Sequence, residues 1–151
     1  MIPFSNLPAE HLAIRNEIDT AISRVIDSGE FVLGPHVAEF ENSFSDFCGA
    51  NHVVGVNSGT SALHLALLAA GVQEGDEVIT VSMTFTATVA AVIYARAVPV
   101  MVDVDPVSWT MDPSLIKDAI TPRTKAIVPV HLHGQMADME AIRGIADLHG
   151  L

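Results

Sequence analysis

The chain is expected to be an α/β protein, with a mostly parallel β-sheet covered by helices on both faces to give three layers. Short, near-continuously apolar and largely β-branched runs recur at residues 52–56, 78–81, 98–104 and 125–131, the pattern of strands buried on both faces. Segments of helical period separate them, and alternation of the two kinds is the signature of βαβ units joined into a parallel sheet. No internal repeat or low-complexity linker interrupts the 151 residues, which match a single domain by length.

The N-terminal third is helical. Residues 8–28 place Leu12, Ile14, Ile18, Ala21, Ile22, Val25 and Ile26 on one stripe, with Glu10, Arg15, Glu17 and Asp19 off it, and Ser28-Gly29 ends the run. A loop at 30–35 carries Phe31, Val32 and Leu33 between Gly29 and Pro35. Apolar loops of this kind cover a core edge, a ligand or a neighbouring subunit. A second helix over 36–47 lines up Val37, Phe40, Phe44 and Phe47.

The strand at 52–56 runs into Asn57-Ser58-Gly59-Thr60-Ser61, followed by an apolar helix to Ala70 and a left-handed stop at Gly71. A helix's first N–H groups lack intrahelical partners, and its dipole leaves about half a positive charge at that end. A phosphate there would collect backbone N–H groups at Gly59 together with the Thr60 and Ser61 hydroxyls. Plain capping by Ser58, Thr60 or Ser61 accounts for the same residues, so the stretch alone leaves both readings open. It is neither a Walker A loop nor a dinucleotide fingerprint.

Gly75-Asp76-Glu77 turns into the strand at 78–81, and a helix capped by Ser82 or Thr84 runs to Tyr94. In the strand at 98–104, Pro99 belongs near the start or on an edge. Asp112-Pro113 opens a helix to residue 120, the strand at 125–131 follows, and a last helix spans 137–149. Ligands of parallel sheets collect beyond the carboxyl ends of the strands. Residues 57–61, 82–86, Asp103, Asp105 and 131–135 are the candidates there. His131 and His133 would share a strand face, but no third ligand stands at a recognised spacing, so no metal is expected.

Eighteen acidic against seven basic residues give a net charge of −11, which argues against nucleic-acid and anionic-membrane partners. Half the residues are hydrophobic, with mean hydropathy +0.42. So apolar a chain either meets another subunit or belongs to a larger body. Cys48 is the single cysteine, so no intrachain disulfide forms and a reducing, cytoplasmic location is expected. Residues 1–6 lack the charge and apolar core of a signal peptide, and the apolar stretch 85–102 is interrupted by Arg96 and Pro99.

Taken together, Phe31-x-x-Gly34-Pro35, Asn57-Ser58-Gly59-Thr60-Ser61-Ala62-Leu63, Gly75-Asp76-Glu77-Val78-Ile79, Thr84-Phe85 and the block from Lys125 to Gly134 resemble the DegT/DnrJ/StrS family over essentially the whole chain. These are pyridoxal-phosphate-dependent sugar aminotransferases of the aspartate-aminotransferase-like fold. The resemblance implies that residues 1–151 form the N-terminal portion of the large cofactor-binding domain, with helices and a loop over 1–50 and the α/β part over 51–151. It implies that Gly59, Thr60 and Ser61 hold the cofactor phosphate and that Phe85 lies against the pyridine ring. Leu33 and Gly34 are weaker substrate-side candidates near the dimer interface. The implied reaction moves an amino group from glutamate to a nucleotide-linked keto-sugar in a homodimer. A deoxysugar dehydratase of the same family and a non-catalytic truncated homologue are the other readings.

Two residues depart from the family pattern: His133 stands where an aromatic is usual, and Arg96 where a Gly is usual after the helix. By the same resemblance, the Asp pairing with the pyridinium nitrogen and the Lys joining the cofactor as a Schiff base both lie beyond Leu151. No catalytic residue is therefore expected in this chain, which alone is expected to be inactive. The family's sheet also places strands from later sequence between residues 52–56 and the other strands, leaving 52–56 without an in-chain neighbour.

Overall fold

The computed structural model describes residues 4–151; Met1, Ile2 and Pro3, part of the segment read above as lacking signal-peptide character, lie outside the described residues. The chain divides into two compact units, Met1–Gly55 and Val56–Leu151.

The first unit contains α1 (Leu7–Ala13), α2 (Arg15–Ser28) and α3 (Pro35–Cys48). The single helix expected over 8–28 is broken at Ile14 (φ −119°, ψ 17°), whose N–H bonds back to the His11 carbonyl at 3.2 Å. No Pro or Gly stands there, so composition carried no sign of it. α2 stops as expected at Gly29, which takes the left-handed conformation (φ 69°) that glycine adopts without Cβ strain. None of the three helices has a buried residue. The aromatic stripe of α3 is formed but uncovered, with Phe40 and Phe44 rings stacked at 5.6 Å.

Residues 52–56 form no strand, which corrects the sequence reading. An apolar β-branched run becomes a strand only where a neighbour completes its ladder, and none is offered among the described residues. Instead the Gly55 N–H donates to Glu41 Oε1 at 2.7 Å.

The second unit is built on β1 (Glu77–Val81), β2 (Val98–Val102) and β3 (Thr124–Val128), all parallel in the order β2-β1-β3. Ile79 stands opposite Val100 on one side and Ile127 on the other. Pro99 lies on the edge strand β2, where its missing N–H is tolerated. Helices α4 (Gly59–Ala69) and α5 (Thr86–Tyr94) cover one face; α6 (Pro113–Ala119) and α7 (Met139–His149) cover the other.

Alternation along β1 feeds both layers. Val78 packs with Leu67, Val72, Ala91 and Val92, while Ile79 and Val81 pack with Met111, Ile116, Ile142 and Ile145. Every residue of β1 is buried. The three-layer parallel architecture therefore stands as the sequence implied.

Strand ends fall short of the apolar runs. β2 stops at Val102, leaving Val104 in an isolated antiparallel bridge to Met111, and β3 stops at Val128. At the base of the sheet, Glu77 is 5% exposed; its carboxylate accepts from the Thr121 hydroxyl at 2.5 Å and from the Arg123 guanidinium. These bonds hold its pKa below the usual carboxylate range, the Thr121 hydrogen bond contributing most. The clamp sits where the β1–β3 register shifts between Glu77 and Val78.

α4 and α5 end alike. The Val72 N–H reaches the Leu67 carbonyl at 3.1 Å around Gly71 (φ 81°), and the Ala97 N–H reaches the Val92 carbonyl at 3.1 Å around Arg96 (φ 58°). Both are Schellman motifs. Arg96 keeps the left-handed turn although it carries a Cβ.

Candidate functional site

Parallel strands put the carboxyl ends of β1, β2 and β3 on one rim, and the N-termini of α5, α6 and α7 follow from that rim, while α4 precedes β1 and leads into its amino end. At α4, Ser58 is extended (φ −161°, ψ 158°) and its Oγ accepts the Ser61 N–H at 3.1 Å, an ordinary N-cap. The same Oγ donates to Ser61 Oγ at 3.0 Å. Ser58 thus satisfies one of the helix's orphan donors. The N–H groups of Gly59 and Thr60 have no hydrogen-bond partner among the described residues, and nothing lies within 4 Å of the position a Cβ on Gly59 would take.

Two free amides, an open approach over a glycine, the Thr60 and Ser61 hydroxyls and the positive end of a helix of 11 residues suit an oxyanion. By that chemistry the residues present fit a phosphate group.

Phe85 is the N-cap residue of α5 rather than part of its first turn, with φ −72° and ψ 141°, and is 74% exposed. The expected cap from Ser82 or Thr84 is not made. Thr84 Oγ1 lies 2.8 Å from Thr88 Oγ1, and Ser82 Oγ donates instead to Asp103 Oδ1 at 3.3 Å, tying the ends of β1 and β2 together. A large flat side chain is left standing on the rim in the same layer as α4, free to lie against an aromatic ligand. Leu33 (φ 58°, 72% exposed) and Gly34 (φ 86°) belong to the first unit.

The pairing of His131 and His133 on a strand face does not occur, because β3 ends at Val128 and both residues fall in the following turn. His131 Nδ1 accepts the Ala137 N–H at 3.1 Å, a role that positions the loop into α7. Among the described residues no three His, Cys, Asp or Glu side chains gather as a metal group would.

Sequence reasoning named Asp105 only as a rim residue and missed what it builds. Its carboxylate accepts the N–H groups of Ser108 at 2.7 Å and Val107 at 3.0 Å. Those bonds, Ser108 first, hold its pKa below the usual range. The loop walls a concavity of about 440 Å³ of mixed polar and apolar lining, with Thr110, Met111, Gln135, Met136 and Asp138. The Asp105-x-x-Ser108 spacing, a carboxylate capping the following turn, was the available signal.

A parallel α/β sheet covered by helices on both faces is of the doubly wound class, in which ligands bind beyond the carboxyl ends of the strands. More narrowly, the chain belongs to the DegT/DnrJ/EryC1/StrS aminotransferase family, whose pattern matches residues 12–151. It is 49% identical over 150 residues to the dTDP-3-amino-3,4,6-trideoxy-alpha-D-glucose transaminase of Streptomyces venezuelae, covering 99% of this chain and 40% of that protein. It is 46% identical over 151 residues to the UDP-2-acetamido-2-deoxy-3-oxo-D-glucuronate aminotransferase of Pseudomonas aeruginosa, covering 100% of this chain and 42% of that one.

Among solved structures, S. venezuelae DesV in complex with a ketimine intermediate superposes with TM-score 0.96 at 49% identity, over 99% of this chain and 40% of that one. NtdA from Bacillus subtilis with bound cofactor PMP gives TM-score 0.91 at 39% identity, over 99% and 35%. The chain thus spans about 40% of the length of the relatives it matches.

Proposed function

We propose that this chain is the N-terminal, phosphate-holding portion of the large domain of a pyridoxal-phosphate-dependent aminotransferase that aminates a nucleotide-linked keto-sugar, with glutamate as donor. The observation that carries the reading is the first turn of α4, where the Gly59 and Thr60 amides have no hydrogen-bond partner among the described residues, the space over Gly59 is open, and the Thr60 and Ser61 side chains supply hydroxyls beside them. Relatives named as nucleotide-sugar aminotransferases align over 99–100% of this chain, at 49% and 46% identity.

When bound, pyridoxal phosphate would supply the electron sink through which an amino group changes carrier. This chain's own part is binding and orientation. Gly59, Thr60 and Ser61 would fix the phosphate, Ser58 would hold Ser61 in place, and Phe85 would set the tilt of the ring. Of the two lysines, Lys117 lies on α6 and Lys125 at the amino end of β3, away from the carboxyl rim. Neither is placed to join the cofactor covalently, so these 151 residues would hold it through non-covalent contacts and would be inactive alone.

Leu33 and Gly34 are proposed on the substrate side. Homodimer formation is proposed from the uncovered apolar side chains Phe31, Val32 and Leu33, which are 70%, 84% and 72% exposed. A cytoplasmic setting is proposed from the single free Cys48. No helix among the described residues is long and apolar enough to cross a membrane.

A chimera tests the reading: this chain replacing the aligned part of the S. venezuelae transaminase. Expected are glutamate-dependent amination of the relative's keto-sugar substrate and a loss of about tenfold or more in cofactor affinity on Thr60→Ala/Ser61→Ala. A folded chimera that binds cofactor equally well with and without those two changes would refute it.

A further inference from the structure

We propose that Thr88 is a positioning residue for the cofactor ring: its hydroxyl, paired with that of Thr84, holds Phe85 at the angle in which it meets an aromatic ligand. The inference rests on the cofactor reading above, and its test separates the failure of one from the failure of the other.

The N-cap of α5 breaks a local rule. That position favours Ser, Thr, Asp or Asn, whose side-chain oxygen takes an amide of the first turn. Phe85 stands there and makes no side-chain cap, although Thr84 and Thr86 flank it. A helix beginning one residue earlier would have had Thr84 as its cap. Departures of this kind collect where a side chain serves something other than stability. Burial does not account for this one, because Phe85 is 74% exposed.

A pair of hydroxyls fixes the entry into α5 instead. Thr84 precedes the N-cap and Thr88 is the third residue of the helix, and their Oγ1 atoms lie 2.8 Å apart, bridging across Phe85. Apolar residues on either side of an N-cap staple helix entries in a comparable way. The backbone between the two threonines is pinned as well. The Thr88 N–H donates to the Phe85 carbonyl at 3.0 Å, and the Thr84 hydroxyl approaches the same carbonyl at 3.4 Å. Upstream, the Ser82 N–H donates to the Val102 carbonyl at 2.9 Å and its hydroxyl to Asp103. The segment carrying Phe85 is therefore tied at both ends while the ring stands clear.

Thr88 is the member of the pair anchored in the core. It is 7% exposed and lies beside Leu63 and Leu67 of α4, and Leu63 follows Ser61 by two residues. Thr88 thus braces α5 against the helix whose first turn is proposed to hold the phosphate. A buried hydroxyl is costly when unpaired, so Thr88 draws Thr84 to it and sets the course of the chain through Phe85.

The test compares two probes, inorganic phosphate and pyridoxamine 5′-phosphate, titrated into the isotopically labelled chain and read by NMR. Thr88→Val keeps the shape of the side chain and removes the hydroxyl; Thr88→Ser keeps the hydroxyl. Parent and both variants should bind phosphate at residues 59–61 with the same affinity. Thr88→Val should bind pyridoxamine 5′-phosphate about fivefold more weakly than the parent, with a smaller upfield ring-current shift on the cofactor's ring proton, and Thr88→Ser should restore both. In a Phe85→Leu background Thr88→Val should cost nothing further, because its effect passes through the aromatic ring. Should Thr88→Val lose the parent's amide dispersion, Thr84→Val, at the half-buried member of the pair, takes its place with the same expectations.

An equal loss in the Phe85→Leu background, or an equal loss for phosphate, would overturn the inference. A parent whose residues 59–61 are unmoved by phosphate overturns the cofactor reading and this inference with it. A parent that binds phosphate there, with the valine variant matching it in affinity and ring-proton shift towards pyridoxamine 5′-phosphate, overturns this inference alone.

Discussion

Replacing Arg96 by glycine should stabilise the protein. Arg96 occupies the left-handed position of the motif that ends α5, at φ 58°, where a Cβ costs about 1–2 kcal/mol. The turn is held in place, because the Arg96 N–H bonds the Ile93 carbonyl at 2.9 Å and the Arg96 carbonyl accepts the Gly75 N–H at 3.1 Å. Relieving the Cβ contact is offset by the extra backbone freedom of an unfolded glycine, about 0.5–1 kcal/mol. It is further offset by loss of the Arg96–Glu74 ion pair at 3.2 Å, whose side chains are 76% and 73% exposed and which is worth at most about 0.5 kcal/mol.

The balance is a gain of about 0.5 kcal/mol over the parent. Arg96→Ala keeps the strain and loses the pair, so it should lie below the parent by up to about 0.5 kcal/mol. Equilibrium urea unfolding of the three proteins with a common slope resolves the order Gly, parent, Ala. If Arg96→Ala proved as stable as Arg96→Gly, the argument that the left-handed conformation is strained would be wrong.

Glu77→Gln removes a carboxylate whose folded pKa lies below its ordinary value, so its contribution is present at neutral pH and lost as pH falls through the folded pKa. The variant should unfold at lower urea than the parent at pH 7, and the gap should close on acidification below the ordinary carboxylate range. A gap that widened towards acid would reverse the sign. Ile79→Ala, at a fully buried position contacting both neighbouring strands, should cost about 3–4 kcal/mol. Met101→Ala on the edge strand, 45% exposed, should cost less than about 1 kcal/mol, and the comparison is read from urea midpoints.

What the sequence revealed of this fold depended on how local the cause was. Helix stops at Gly29 and Gly71 were readable because one residue's missing Cβ decides them. The burial of Val78, Ile79 and Val81 followed from composition, since a central parallel strand is apolar on both faces. Strand lengths were not readable, because apolar character continues past Val102 and Val128 while the ladder does not. Residues 52–56 look no different from β1 in composition, yet a strand is a relation to a neighbour and none is present among the described residues.

The same division holds at the site. Ser58 as a cap is local and was readable, whereas the diversion of Thr84 to Thr88 and of Ser82 to Asp103 depends on side-chain placement. Glu77, which reads as a turn residue, became a buried clamp because Thr121 and Arg123 meet it from 44 and 46 residues away.

On the proposed function, the first turn of α4 offers its backbone to a phosphate. Titrating the isotopically labelled chain with pyridoxamine 5′-phosphate and following each amide by NMR addresses it directly. Expected are saturable shifts centred on Gly59, Thr60 and Ser61, with the ring-current response at Phe85. Saturable binding that leaves those three amides unmoved, or no binding at all, would contradict it.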